Sequence, residues 1–140
     1  MLETVEAIRF DRVMTKGRTM PMLLAAEQGD GLEVELIGKF SHGEQIGAIG
    51  LAREAISAML ASDLGLPVPN PLLVTISDAF IDTVPNPAAA DLLRHSLRVG
   101  FGSSRLPSDY SVWQPSNDLP KHMLNNAAEI FRPVRFENPI

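Results

Sequence analysis

The sequence predicts an α+β fold in which antiparallel strands precede one long helix. Short strand-like segments separated by glycine-containing turns fill the first forty residues. Residues 48–64 then place apolar side chains at helical spacing, with few charges among them. The chain of 140 residues is 45% hydrophobic and 21% charged, which is typical of one globular domain.

Composition excludes several classes of function. A net charge of −5 gives no positive field that would attract nucleic acid or an anionic membrane. The absence of cysteine excludes disulfides and thiolate metal sites, and the three histidines share no metal-ligand spacing. The amino terminus lacks the pattern of a signal peptide, and no apolar run approaches the ~20 residues of a membrane span. We therefore expect a cytoplasmic protein that binds neither nucleic acid nor a membrane.

Three strands are predicted before the long helix. Residues 5–14 have the β-branched and aromatic content of a strand, and their charges indicate an edge strand. A tight basic turn, Thr15 to Thr19, leads into a second strand over residues 20–26. Gln28-Gly-Asp-Gly31 favours a hairpin turn, so the strand that follows it should pair with the second.

The third strand, Leu32 to Phe40, carries the best chemical candidate in the chain. Side chains alternate between the two faces of a strand, so Leu36 and Phe40 share one face, and Ile37 and Lys39 lie on the other. A lysine near the end of a strand could reach a charged ligand.

The helix over residues 48–64 has two apolar faces. The stripe that we expect to pack on the sheet consists of Ile49, Ala52, Ile56, Met59 and Leu60. The opposite face, with Leu51, Ala55, Ala58 and Ala61, is also nearly uncharged, so we expect another element or partner to cover it.

Shorter elements complete the prediction. Gly65 is expected to end the helix as a left-handed cap, before two prolines. The remaining elements are predicted, in order, as a buried strand over residues 72–76, a helical turn over 77–84, a helix over 87–97 with contacts from Leu92, Leu93 and Leu97, a brief strand over 98–104, an ordered loop over 107–120 around Tyr110 and Trp113, and a helix over 119–131.

Three features of the first half of the chain converge on an anion site. They are the turn with Gly17, Arg18 and Thr19, the strand lysine Lys39, and the helix glutamate Glu54. In protein-kinase-like folds a strand lysine contacts nucleotide phosphates and is held by a helix glutamate. The separation of Lys39 and Glu54 is compatible with that arrangement. Since the turn also fits a plain hairpin and Glu54 also fits a solvated charge, the residues alone predict an α+β domain with an anion site.

Five segments in a fixed order carry a family resemblance. They are Gly17-Arg-Thr-Met-Pro-Met-Leu-Leu24, Ile37-Gly-Lys-Phe40, Arg53-Glu-Ala-Ile-Ser-Ala-Met-Leu-Ala-Ser-Asp-Leu-Gly-Leu-Pro-Val-Pro69, Val99-Gly-Phe-Gly-Ser103 and Ala127-Ala-Glu-Ile-Phe131. Together they resemble the HipA-like kinase family, in its branch with a compact N-terminal region. The Leu-Gly-Leu-Pro-Val-Pro phrase is the most specific part.

The resemblance implies a protein-kinase-like N-terminal lobe over residues 1–76. Residues 77–140 would then form a connecting segment and an incomplete helical C-terminal lobe. It also implies ATP and Mg²⁺ as cofactors, phosphorylation of serine or threonine on proteins, and a link to toxin–antitoxin systems. On this basis Lys39 would contact the phosphates, Glu54 would pair with it, and Gly17, Arg18 and Thr19 would form the turn above them.

The sequence departs from the family after the segment that ends at Phe131. The family continues into Asn-Pro-Asp-Arg, whose aspartate is the catalytic base, and later into a metal-binding aspartate. Here only Asn138-Pro139 matches, and no aspartate follows Asp118. We expect a short HipA-like kinase form that lacks the catalytic loop and is inactive alone. Its expected partners are a protein substrate, or the missing C-terminal lobe or a partner protein. The alternative is a non-catalytic module that docks on a partner kinase or antitoxin through the Leu51/Ala58 face of the helix.

Overall fold

The computed structural model describes residues 2–15 and 17–108, and it confirms the α+β fold over them. The predicted loop around Tyr110 and Trp113 and the predicted helix over 119–131 lie outside the described residues. The elements are β1 (Glu3–Val13), β2 (Met22–Glu27), β3 (Glu33–Lys39), a 3-10 turn (Ser41–Gly43), α1 (Ala48–Asp63), β4 (Pro71–Thr75), α2 (Asp78–Thr83), α3 (Pro87–His95) and β5 (Val99–Ser104).

The five strands close into a barrel in the order β1-β2-β3-β5-β4. The first three strands form two antiparallel hairpins, as predicted. Closure comes from a parallel pairing of β1 with β4, in which Val5 lies opposite Val74. The prediction of an edge strand for residues 5–14 is therefore wrong, because both sides of β1 pair with another strand.

The last strand, β5, lies between β3 and β4, so that Phe101 is opposite Lys39 on one side and Leu73 on the other. Strands from both sides of the predicted boundary at residue 76 thus share one sheet, and residues 1–107 form one unit. Glycine is required at the inward-facing position 100. A Cβ there would lie 2.6 Å from the Lys39 carbonyl oxygen and 2.6 Å from the Phe40 ring.

The core fills the barrel interior and continues under α2 and α3. Both helices begin with a side-chain cap: the Phe80 amide donates to Ser77 Oγ, and the Ala89 amide donates to Asn86 Oδ1. These caps hold the short helices where they bury their apolar side chains. The fully buried side chains from strands and helices include Val5, Met22, Leu24, Leu36, Phe40, Leu72, Val74, Ile81 and Leu93.

Helix α1 packs on the outer face of β4 and β5 with the side opposite to the predicted one. Leu51 is only 8% exposed, whereas Ile49, Ile56 and Leu60 are 61%, 59% and 58% exposed. We call these last three residues the α1 outer stripe. The small side chains near Leu51 allow the helix to approach the sheet. The sheet therefore covers Leu51 on the face predicted to dock on a partner, whereas Ala58 on that face is only partly buried.

Local predictions of element ends hold with small shifts. Gly65 has φ +71°, and the Leu66 amide donates to the Ala61 carbonyl in the pattern of a Schellman cap. Strand β2 begins at Met22 rather than at Met20, because Met20 has φ +50°. Leu97 was expected to pack in the core but is exposed, since α3 ends at His95. No helix in the described ranges has both the length and the apolar character needed to cross a membrane.

Replacement of Gly100 tests the tight packing beside Lys39. Gly100→Ala forces a methyl group against backbone and an aromatic ring, so we expect a loss of about 1–3 kcal/mol in the free energy of unfolding. Gly29→Ala is the matched control, because a Cβ at Gly29 meets nothing within 4 Å. It should change that free energy by less than about 0.5 kcal/mol. Urea denaturation of both variants gives the comparison, and equal midpoints would contradict the packing described here.

Candidate functional site

The two side chains that the sequence singles out, Lys39 and Glu54, are in direct contact. Lys39 Nζ lies 2.5 Å from Glu54 Oε1 and 2.8 Å from Oε2, so the amine donates to both carboxylate oxygens. The side chains are 28% and 35% exposed, respectively. The ion pair is thus partly buried and remains accessible from solvent.

Local structure explains why these two residues meet. Phe40 points into the barrel and is buried, so the alternation of β3 directs Lys39 to the outer face. On α1, Glu54 follows Leu51 by three residues, and residues so spaced are neighbours on a helix surface. Because Leu51 packs toward the sheet, Glu54 lies at the border between the covered and exposed sides of the helix, within reach of Lys39.

Two adjoining hollows form a groove on the same outer face of the sheet. The first, of about 410 Å³, lies between α1 and β5 and is lined by Glu54, Phe101 and Ser103 among others. The second, of about 310 Å³, extends over Ile37. Pro69 and Ser103 line both hollows. We call the two together the outer groove. Lys39 is not among the lining residues, and its amine is held at the rim by Glu54.

The far part of the outer groove combines apolar and basic side chains. Its lining residues are Arg12, Met14, Leu23, Ile37, Pro69, Ser103, Ser104, Arg105 and Leu106. One of the two arginines, Arg105, forms an ion pair with Glu35 at 2.7 Å. The groove therefore offers an apolar floor with positive charge at its border.

The predicted turn residues lie at the Lys39 end of the barrel but not on the ion pair. Strand pairing of Met22 with Gly38 brings the turn beside the end of β3. Gly17 has φ +122°, and a Cβ there would lie 3.0 Å from the ring of Pro21. The Thr19 carbonyl packs against Gly43 so closely that a side chain at Gly43 would collide with it. No hydrogen bond joins Gly17, Arg18 or Thr19 to Lys39 or Glu54.

A magnesium site is not evident in the described part of the chain. No group of three or more histidine, aspartate or glutamate side chains there is placed to hold a metal ion. The described residues that were predicted to bind a cofactor offer one carboxylate, that of Glu54, and it is occupied by Lys39. No chemical step through Mg²⁺ is therefore assigned to these residues.

Sequence reasoning missed most of the groove lining. Ile37 was placed on the face of Lys39 by strand alternation, and the structure agrees. Phe101, Ser103 and Pro69 were not identified, because they reach the groove only through the position of β5 beside β3. The available signal for them was the alternation of glycine with larger residues in Val99-Gly-Phe-Gly-Ser103. Glycine at every second position marks a strand face that other residues approach closely, so Phe101 and Ser103 are expected on the opposite face.

Comparison with known proteins gives no family. No protein-family model matches the sequence. No curated protein and no solved structure matches it either.

Removal of the ion pair should cost little stability. Because both side chains are about one-third exposed, we expect the coupling between Lys39 and Glu54 to be about 0–1 kcal/mol. A double-mutant cycle with Lys39→Met, Glu54→Gln and the double variant, followed by urea denaturation, measures it. A coupling above about 3 kcal/mol would show that the pair is a structural element of the fold, and not a site kept accessible to ligand.

Proposed function

We propose that this chain binds the phosphates of ATP through Lys39, as the nucleotide-binding part of a HipA-like kinase with a protein-kinase-like N-terminal lobe. The observation that supports the proposal most directly is the bidentate contact of Lys39 with Glu54 at the rim of the outer groove. A lysine on a strand held by a glutamate on the following helix is the arrangement that protein kinases use on nucleotide phosphates.

The geometry of the pair suits a phosphate ligand. A lysine ammonium carries three donor hydrogens, and Glu54 accepts from it with two oxygens. The amine is thus oriented before a ligand arrives and retains a donor for a phosphate oxygen. Partial exposure of Lys39 leaves a route for that oxygen to approach.

The outer groove suits the rest of the nucleotide. Its first hollow, of about 410 Å³, falls within the range of volumes for small-molecule sites, and its second, of about 310 Å³, lies at the lower end of that range. Apolar surface for a flat base is offered by Leu23, Ile37 and Leu106. Of these, Ile37 lies two strand positions from Lys39. In the proposed complex the base lies in this far hollow and the phosphates lie at the Lys39 rim.

The turn with Gly17, Arg18 and Thr19 is proposed to close over the phosphates. Its anchoring on Gly43 and its place beside the end of β3 bring its exposed residues to the correct end of the groove. Arg18 is exposed and would supply a second positive charge. We propose that this charge contacts phosphate oxygens only when the nucleotide is bound.

Binding without phosphoryl transfer is proposed for the 140-residue chain itself. Transfer to a hydroxyl needs a carboxylate that accepts the proton and acidic ligands for Mg²⁺. The sequence contains no Asn-Pro-Asp-Arg phrase, and Lys39 and Glu54 perform neither role. A partner lobe that supplies these groups, phosphorylation of serine or threonine in a protein, and a place in a toxin–antitoxin system remain predictions of the family resemblance.

Calorimetric titration with ATP and Mg²⁺ tests the binding proposal. Lys39→Met should raise the dissociation constant about tenfold or more, because it removes a charge-assisted hydrogen bond. Arg94→Met is the control: it also removes one exposed positive charge, from an ion pair with Asp82 on α2. It should change the affinity less than about twofold. Equal affinities of the wild type and Lys39→Met would remove Lys39 from the site, and no measurable binding would refute the proposal.

Incubation of the purified chain with γ-labelled ATP and a generic protein substrate tests the absence of transfer. We expect no labelled protein above the background of a heat-denatured sample, because the described pair orients phosphates but accepts no proton. Label that is incorporated by the wild type and lost in Lys39→Met would show that this chain completes the catalytic site by itself.

A further inference from the structure

Two histidines that are far apart in the sequence lie side by side on the surface of the fold. His42 belongs to the 3-10 turn that follows β3, and His95 is the last residue of α3. Their ring centres are 5.2 Å apart, and the ring planes are tilted by 34°. Both residues are exposed, so a ligand can reach them from solvent. We call these two residues the histidine pair.

Hydrogen bonds of the neighbouring serines hold the histidine pair together. The His42 amide donates to Ser96 Oγ at 3.0 Å, and this hydroxyl in turn donates to the Leu92 carbonyl at 2.9 Å. In the opposite direction, the Leu97 amide donates to Ser41 Oγ at 2.9 Å. The link between the turn and the end of α3 is therefore reciprocal, and it places both rings through the backbone.

The ring of His95 is held in the form that binds metal ions. Its Nδ1 lies 2.9 Å from the Asp91 carbonyl oxygen and 3.5 Å from the Asp91 carboxylate. A carbonyl oxygen can only accept, so Nδ1 carries the proton and Nε2 of the neutral ring keeps its lone pair. Metal-binding histidines usually have the other ring nitrogen fixed in this way, which sets the tautomer and the orientation of the ring.

The separation of the two rings matches that of two imidazoles on one metal ion. Zinc–nitrogen bonds of about 2.0–2.1 Å place each ring centre about 3 Å from the ion, and tetrahedral angles then place the two centres about 5 Å apart. The observed separation of 5.2 Å agrees with this value. Imidazole nitrogen suits zinc, copper and nickel, whereas Mg²⁺ prefers oxygen ligands.

We propose that the histidine pair binds one divalent transition-metal ion of the zinc type, with His95 coordinating through Nε2 and His42 through one of its ring nitrogens. The described residues supply no third histidine or acidic ligand, and Asp91 lies on the Nδ1 side of His95, where it orients the ring. Water completes the coordination, since both rings face solvent. The site is independent of the nucleotide site proposed at Lys39, so either can fail without the other.

Calorimetric titration of the metal-free full chain with zinc chloride, without nucleotide, tests the proposal. The wild type should bind one ion per chain, and His42→Gln and His95→Gln should each raise the dissociation constant about tenfold or more, because each removes one of the two protein ligands. His122→Gln is the matched control and should change it less than about twofold. Both substituted positions of the pair are exposed, so folding should survive, as circular dichroism would verify.

Three results of this titration would overturn the proposal. They are no measurable binding of Zn²⁺ by the wild type, affinity that is retained in both variants of the histidine pair, and an equal loss in His122→Gln. Magnesium chloride should produce no binding that depends on the histidine pair, because a hard cation prefers oxygen ligands.

Nitrogen NMR of the imidazole side chains identifies the coordinating atoms. Zn²⁺ should shift Nε2 of His95 while its Nδ1 stays protonated, because the Asp91 carbonyl holds that proton. One ring nitrogen of His42 should shift over the same range of metal concentration, since the two rings share the ion. Coordination through Nδ1 of His95, or a shift confined to one of the two rings, would contradict the proposed site.

Discussion

The contact between the Lys39 amine and the Glu54 carboxylate is the interaction on which the functional interpretation of this fold depends. It joins the end of β3 to the middle of α1, and it holds a positive charge at the rim of an open groove. The pair is too exposed to contribute much to stability, so its physical effect lies in orientation of the amine. An oriented donor loses less conformational entropy when a polyanion binds.

The barrel provides the rigidity that this orientation requires. Insertion of β5 between β3 and β4 pairs the end of β3 with β5, with Phe101 opposite Lys39. Gly100 allows the backbone of β5 to approach the end of β3, because no side chain fits between Gly100 and Phe40. Closure of β1 on β4 leaves no free sheet edge among the five described strands.

The family resemblance implied the ion pair and local rules predicted the orientation of Lys39, but neither predicted the sheet that frames the pair. Strand alternation placed Lys39 outward, and the caps and glycine turns located most element ends within two residues. The pairing of Val5 with Val74 and of Lys39 with Phe101 joins distant segments, and no local pattern specifies which strands become neighbours. The two faces of α1 were reversed because both are apolar: alanine near Leu51 permits close packing on the sheet, and the larger residues remain outside.

Chemical labelling of the lysine amine by an acyl phosphate of ATP tests the central claim most directly. In this reaction the amine attacks the acyl carbon, forms an amide and releases ATP, so it modifies lysines held beside bound phosphates. The chain has three lysines, at positions 16, 39 and 121, and mass spectrometry can compare them within one sample. We predict that Lys39 is acylated and that excess ATP protects it. Equal, unprotected labelling of all three lysines would show that no phosphate-binding site exists at Lys39.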